Sequence, residues 1–213
     1  MEILQVKKER QDLIELIKLD DTFVLDVLYA TNNNFTKQIL YKDAKVFLRE
    51  EIANELLKVQ NELKSMGLGL KIYDGYRPYH VSVLMWNATK VLLNTDDENE
   101  LEKFVGNPYK KGSRHNRGAA VDVTLINLST GNELCMPTPF DDFTYNASRT
   151  YFMDIINDNN KSNDEIYTRC SNAKLLQDVM MKHKFIGLES EWWHFDIINW
   201  QDYDLLDISF EDI

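Results

Sequence analysis

Ser113-Arg114-His115-Asn116-Arg117-Gly118-Ala119-Ala120-Val121-Asp122 is the stretch from which the rest of the chain is read. A polar half ends at Gly118, and an apolar half begins in which a single carboxylate, Asp122, is embedded. The apolar run continues to Asn127 and reads as a strand, with alternation setting Ala120, Asp122 and Thr124 on one face. A carboxylate inside such a strand is costly unless it is paired or bound to a metal. His115, taken alone, is a plain loop residue. With Asp122 and with His194 of Glu191-Trp192-Trp193-His194 it completes a set of three ligands. Two imidazoles and a carboxylate leave the fourth tetrahedral position of a zinc ion open, as catalytic sites require. Glu191, three residues before the last ligand, is the candidate general base.

The spacing of Glu191 and His194 carries a constraint. Residues three apart meet on a helix but face opposite sides of a regular strand. Glu191 must therefore sit just before the strand, or at a bulge, to aim at the same ion. Glu189 is a rival base on spacing alone. Trp192 and Trp193 read as core aromatics that would keep such a site dry. Arg77, between Gly75-Tyr76 and Pro78, reads either as a surface ion pair or as a fixed guanidinium aimed at developing oxyanion charge. His80 and His183 read as surface or capping residues.

Around these residues the chain alternates between helical and strand periods. Val24 to Tyr29 is strand-like, and Thr31-Asn32-Asn33-Asn34 is a loop. Asp43 can cap a helix to about Met66, with Ala44, Phe47, Leu48, Ile52, Leu56, Val59 and Leu63 at helical spacing. Leu70 to Asp74 is a strand, Gly75 to Pro78 a turn, and Tyr79 to Leu93 a helix. Asp96 to Glu100 is a solvated loop or helix start, 106–117 a loop, and Ser129 to Asn132 a hairpin turn. Residues 136–150 are irregular, Asp164 to Lys184 is a helix, and Trp192 to Ile198 a strand. The expected fold is α+β, a mainly antiparallel central sheet flanked by helices.

The 213 residues suit one domain, 1–213, with 1–20 (clearest over 8–19) as a segment packing across it. Lys and Arg number 24 against 35 Asp and Glu, for a net charge of −11. That balance argues against nucleic acid or an anionic membrane as partner. No run approaches the ~18 apolar residues of a membrane span, and the start reads as neither a secretory nor a transit segment. Cys135 and Cys170 are too few for a disulfide framework, so both are expected reduced and buried in a cytoplasmic protein.

The run SRHNRGAAVD resembles the SxHxxGxAxD signature of the D-alanyl-D-alanine dipeptidases (VanX-type), and EWWH resembles their ExxH motif. YDGYRP and YATNNNFT look like the same family, in matching order from about Tyr29 to Trp200. The wider group includes D,D-carboxypeptidases and the signalling domain of Hedgehog proteins, so the resemblance implies a Hedgehog/DD-peptidase-like fold. It implies one zinc ion per chain on His115, Asp122 and His194, and Glu191 as the base that activates water there and protonates the leaving amine. It implies Arg77 as the oxyanion partner, Tyr29 and Asp141 around the substrate amine, Tyr41 as a further pocket tyrosine, and Ser113 at the substrate carboxylate.

The implied activity is hydrolysis of D-Ala-D-Ala to two D-alanines, in glycopeptide resistance or D-alanine salvage. The partner is then a small dipeptide, with no obligatory protein partner. Two alternatives stay open: a D,D-carboxypeptidase acting on longer peptidoglycan peptides, and a zinc-binding domain without turnover. Two departures bear on specificity. Arg114 stands where the family commonly has a second serine, and Met136-Pro137-Thr138-Pro139 replaces Met-Gly-Ser or Met-Gly-Thr.

Overall fold

The computed structural model describes residues 4–9, 12–158 and 164–213. In chain order the strands are β1 Val6–Lys7, β2 Leu13–Glu15, β3 Val24–Leu25, β4 Phe47–Arg49, β5 Leu68–Asp74, β6 Ala120–Asn127, β7 Phe185–Gly187, β8 His194–Ile197 and β9 Leu205–Leu206. The helices are α1 Leu16–Leu19, α2 Glu50–Lys64, α3 Tyr79–Leu93, α4 Glu98–Leu101, α5 Arg149–Asn157 and α6 Glu165–Lys182. Five strands form the central sheet in the order β3-β5-β6-β8-β7. Only the β3–β5 pair is parallel, and the other three are antiparallel. The α+β expectation with a mainly antiparallel sheet therefore holds.

The central strand β6 has apolar or small residues at nearly every position because both faces are covered; seven of its eight residues are buried. Helix α2 buries Ile52, Ala53, Leu56, Val59 and Leu63, a 3–4 spacing that lays one apolar stripe against β5 and α6. Helix α6 answers with Ala173, Leu176, Val179 and Met180. Tyr79–Leu93 and Ala120–Asn127 have the expected bounds. Among the described residues no helix is long and apolar enough to cross a membrane.

The segment after Asp43 departs from expectation. The helix begins at Glu50, and Phe47–Arg49 is instead a strand paired antiparallel with β2. Its backbone is used laterally: Val46 O accepts from Leu16 N, Phe47 O from Tyr76 N, and Arg49 N donates to Gly118 O. Those bonds would be lost in a helix. Val24 to Tyr29 likewise splits into the short β3 and a 3-10 turn at Leu28–Ala30. Strand β8 starts at His194, so Trp192 and Trp193 precede it. Helix α5 and strand β7 lie where no element was expected. Cys170 is buried as expected, but Cys135 is exposed. Of the N-terminal segment, β1 pairs with β9 and β2 with β4; residues 1–3, 10 and 11 lie outside the described residues.

Candidate active site

Strand register assembles the site. Asp74 on β5 stands opposite Asp122 on β6, next to an irregularity at Ile72/Asp74, and Asp122 stands opposite His194 on β8. Three ionisable residues thus lie side by side across three adjacent strands. His115 reaches them from a 3-10 turn that closes at Gly118, whose φ is +64°. Glycine is needed there for a second reason. A Cβ would lie 2.9 Å from a Leu13 methyl and 3.4 Å from Arg49 N, where the turn abuts β2 and β4.

His115, Asp122 and His194 are all buried, and their ligand-type atoms lie within 4.8 Å of one another. Nδ1 of His115 is 2.8 Å from Gly75 O. A carbonyl only accepts, so this nitrogen carries the proton and Nε2 presents its lone pair inward. Nε2 of His194 is 2.9 Å from Asp196 Oδ1, which turns Nδ1 inward, 3.0 Å from Asp122 Oδ1 and 3.1 Å from His115 Nε2. The second Asp122 oxygen is 3.4 Å from His115 Nε2. Two imidazole nitrogens and a carboxylate converge, and each histidine is oriented by an acceptor on its far nitrogen, as metal-ligating histidines are. The donor set fits a divalent ion such as zinc.

The electrostatics fit the same reading. Burial opposes ionisation of Asp122, but His115 and His194 outweigh it and hold the carboxyl well below the usual range. Burial likewise opposes charge on His194, yet Asp196 and Asp122 push its pKa up to about 10. A proton on His194 occupies the position a cation would take. Glu191 sits in the turn ahead of β8, as the spacing required, with Oε2 3.9 Å from His194 Nδ1. Burial raises its pKa. The rival Glu189 instead accepts from Thr150 N and Oγ1 at an exposed position.

Arg77 is buried, with Nε and Nη2 both on Asp74 Oδ2 at 3.1 and 2.7 Å, so it is the fixed guanidinium and not a surface pair. Its Cζ lies 5.4 Å from the centre of the Tyr29 ring. Tyr29 OH donates to both oxygens of Asp141, at 3.0 and 3.1 Å. Asp141 adopts a φ of +60°, and burial together with the charge of Asp122 raises its pKa. Ser113 accepts from His115 N through Oγ, 3.2 Å away. Arg114 binds Asp196 Oδ2 at 2.7 Å and lies over Trp200.

One cleft of about 590 Å³ is lined by Tyr29, Arg77, Ser113, His115, Asp122, Asp141, Glu191 and His194, with Arg114 and Trp193. Tyr41 does not line it. Its hydroxyl donates to Asp74 Oδ1 at 2.8 Å, behind Arg77, so its place is that of a support. Thr138, between the two prolines, accepts from Trp192 Nε1 at 3.0 Å and so braces the tryptophan next to Glu191.

Sequence reasoning missed Asp74, Asp196, Asn116 and Arg149. Asn116 Nδ2 donates to Arg77 O and Ser82 Oγ while its Oδ1 accepts from Ser113 N, which locks the His115 turn to the Arg77 corner. The signal for it was its burial-prone place inside the quoted motif. Asp74, likewise, is an acid three residues before the motif arginine.

The family model described as D-ala-D-ala dipeptidase matches residues 10–210. A D-alanyl-D-alanine dipeptidase of Escherichia coli is 29% identical over 195 residues, which span 92% of this chain and 89% of the relative. One from Enterococcus faecium is 30% identical over 179 residues, 80% of this chain and 83% of the relative. Among solved structures, the LdcB LD-carboxypeptidase aligns over 94% of this chain and 74% of its own, with a TM-score of 0.49 and 19% identity.

Proposed function

The chain belongs to the D-Ala-D-Ala dipeptidase family, and from that premise we propose that it hydrolyses D-Ala-D-Ala to two D-alanines with one zinc ion held by His115, Asp122 and His194. The observation that carries this reading is the convergence of His115 Nε2, Asp122 and His194 Nδ1 in a cleft that also holds Glu191, Arg77 and Asp141. Bound there, zinc would supply Lewis acidity, polarising the scissile carbonyl and lowering the pKa of water.

The protein's own groups divide the remaining work. The Asp141 carboxylate, steadied by Tyr29 OH, takes the substrate ammonium and fixes the direction of the peptide. Arg77, locked on Asp74, meets the negative charge that grows on the carbonyl oxygen. Glu191 accepts a proton from the attacking water and delivers it to the departing amide nitrogen as the C–N bond breaks. The raised pKa that burial gives Glu191 suits a group that must both take and return a proton. Trp192 and Trp193, both buried, exclude bulk water behind the base. Ser113, next to the first ligand, is the candidate for the substrate carboxylate. In the cell such a reaction serves glycopeptide resistance, by removing the dipeptide before it enters wall precursors, or D-alanine recovery.

The cleft volume favours one second reading, cleavage of a D-Ala-D-Ala-terminated longer peptide. About 590 Å³ falls in the range of pockets that take drug-sized ligands, ~300–1,000 Å³. The test is D-alanine release by zinc-loaded protein from D-Ala-D-Ala, L-Ala-L-Ala and a D-Ala-D-Ala-terminated pentapeptide. The dipeptidase reading expects release from D-Ala-D-Ala. Release from the pentapeptide alone replaces it with the second reading, and release from none refutes both.

A further inference from the structure

Arg149 is buried at the first turn of α5, and no step above uses it. Its guanidinium is spent on the backbone of the 188–194 segment, which carries both Glu191 and His194. Nε donates to Leu188 O at 2.8 Å; Nη2 donates to His194 O at 2.8 Å, Glu191 O at 3.2 Å and Trp192 O at 3.3 Å. Nη1 donates to Gln177 Oε1 on α6 at 2.8 Å, and Cζ lies 4.5 Å from the centre of the Phe195 ring. The main chain adds Arg149 N to Glu189 O at 2.8 Å.

Space for this fork exists because residue 187 is glycine. A Cβ at Gly187 would lie 1.9 Å from Arg149 Cζ and 2.1 Å from Nε, so the guanidinium could not keep its present place beside any larger residue. The turn before β8 is not held by a ladder of its own: outside the strand pairings, the backbone bonds of residues 188–193 are Leu188 N to His194 O, Glu191 N to Leu188 O, Glu189 O to Arg149 N and Trp193 O to Val123 N. The charged fork is therefore a principal tie on the two carbonyls belonging to the base and the third ligand. A planar, five-donor group can span several carbonyls at once, whereas an ammonium is a point donor.

We propose that Arg149 is a positioning residue for the reaction: docked over Gly187, it sets Glu191 against His194 by gripping the carbonyls of the segment that bears them. This rests on the dipeptidase reading. Tyr29, Arg77 and Asp141, which would grip the substrate, lie on other segments, so the effect belongs in kcat. The placement of a catalytic pair by its supporting hydrogen bonds is worth about 10- to 100-fold in activity or metal affinity.

The experiment compares Arg149→Lys and Gly187→Ala with wild type and with Leu176→Ala, a core substitution in α6 chosen to lower Tm comparably. Measured are kcat and KM for D-Ala-D-Ala, Tm, and the rate of zinc loss to a chelator. Arg149→Lys and Gly187→Ala are expected to lower kcat about 10- to 100-fold, with KM within about twofold, and to speed zinc loss. Leu176→Ala is expected to lower Tm while kcat and zinc loss stay at wild-type values. Wild-type kcat in either of the first two variants overturns the proposal, as does an equal kcat loss in Leu176→Ala at matched Tm. If wild type itself releases no D-alanine, the dipeptidase reading fails separately. Zinc loss then decides the role of Arg149: faster loss in both variants supports it, and unchanged loss overturns it.

Discussion

Nδ1 of His194 and Nε2 of His115 face each other at 3.1 Å, two inward ring nitrogens with Asp122 Oδ1 3.0 Å from the first. Without a metal, Asp196 and Asp122 outweigh burial and keep His194 protonated up to a pKa of about 10, its Nδ1 proton facing Asp122 Oδ1. Zinc must displace that proton, so metal binding near neutral pH is expected to release about one proton per chain. Calorimetric titration with zinc in buffers of differing ionisation enthalpy measures it, and a buffer-independent heat contradicts it.

The same pair sets the pH response of stability. His194 titrates near 6.5 when unfolded and at about 10 in the metal-free fold. A raised pKa contributes stability that is full below about 6.5 and lost as pH rises through about 10. Zinc, in contrast, competes less with protons as pH rises. The Tm difference between zinc-loaded and metal-free protein is therefore expected to widen on going from neutral towards alkaline pH, in parallel melts of the two forms. A constant difference would show that His194 is not the group the metal displaces.

Glu191 and Glu189 separate cleanly by surroundings. The first is beside His194, and the second is tied to Thr150 at the surface. Glu191→Gln keeps the side-chain shape but removes the proton acceptor. It is expected to lower kcat about 10²- to 10⁴-fold with zinc content retained, whereas Glu189→Gln stays near wild type. Steady-state rates with metal analysis of each protein decide it. Full activity in the Glu191 variant would remove this residue from the mechanism.

Arg77 is expected to show a graded series. Arg77→Lys loses the two-point grip on Asp74, and a fall of about 10²- to 10³-fold in kcat is expected, the scale of one lost oxyanion partner. Tyr41→Phe removes only the 2.8 Å bond to the far oxygen of Asp74. Its effect should be smaller, about tenfold, the low end of the about 1.5–3 kcal/mol of a hydrogen bond to a charged group, because the Arg77 pair itself stays in place. If Tyr41→Phe instead changes KM alone, Tyr41 contacts substrate and its assignment as a support is wrong.

What was legible in the sequence follows from the range of the interactions. The strand Ala120–Asn127 and helix Tyr79–Leu93 announce themselves through local period, and the three candidate ligands through a local motif. Phe47–Arg49 misled because Ala44, Phe47, Leu48 and Ile52 continue the helical spacing of α2, while its backbone partners, Leu13–Glu15, Tyr76 and Gly118, are distant in sequence. Asp196 orients His194 from two residues on along β8, where strand alternation puts both on one face, but nothing in the motif marks it as a partner. Arg149 was unreadable for a stronger reason: its acceptors are main-chain carbonyls some forty residues on, and a carbonyl has no letter in the sequence. Tyr41 was placed by analogy in the pocket, and a difference of one layer separates it from the cleft.

Asp141 and Tyr29 carry the last expectation. An ammonium is the only part of a dipeptide that demands a carboxylate, and Asp141 is the one in the cleft whose hydroxyl partner leaves it free of any cation bond. Asp141→Asn should raise KM about 10- to 100-fold, the worth of a charged hydrogen bond of about 1.5–3 kcal/mol. N-acetyl-D-Ala-D-Ala, which lacks the charge, should be a poor substrate for wild type. Because burial and the neighbouring Asp122 raise the pKa of Asp141, its anionic form gains with pH, and the wild-type KM is expected to fall as pH rises through that raised value. The Asn variant should lose that limb of the profile. An acetylated dipeptide cleaved as fast as the free one would place the amine outside this pocket and reverse the proposed direction of binding.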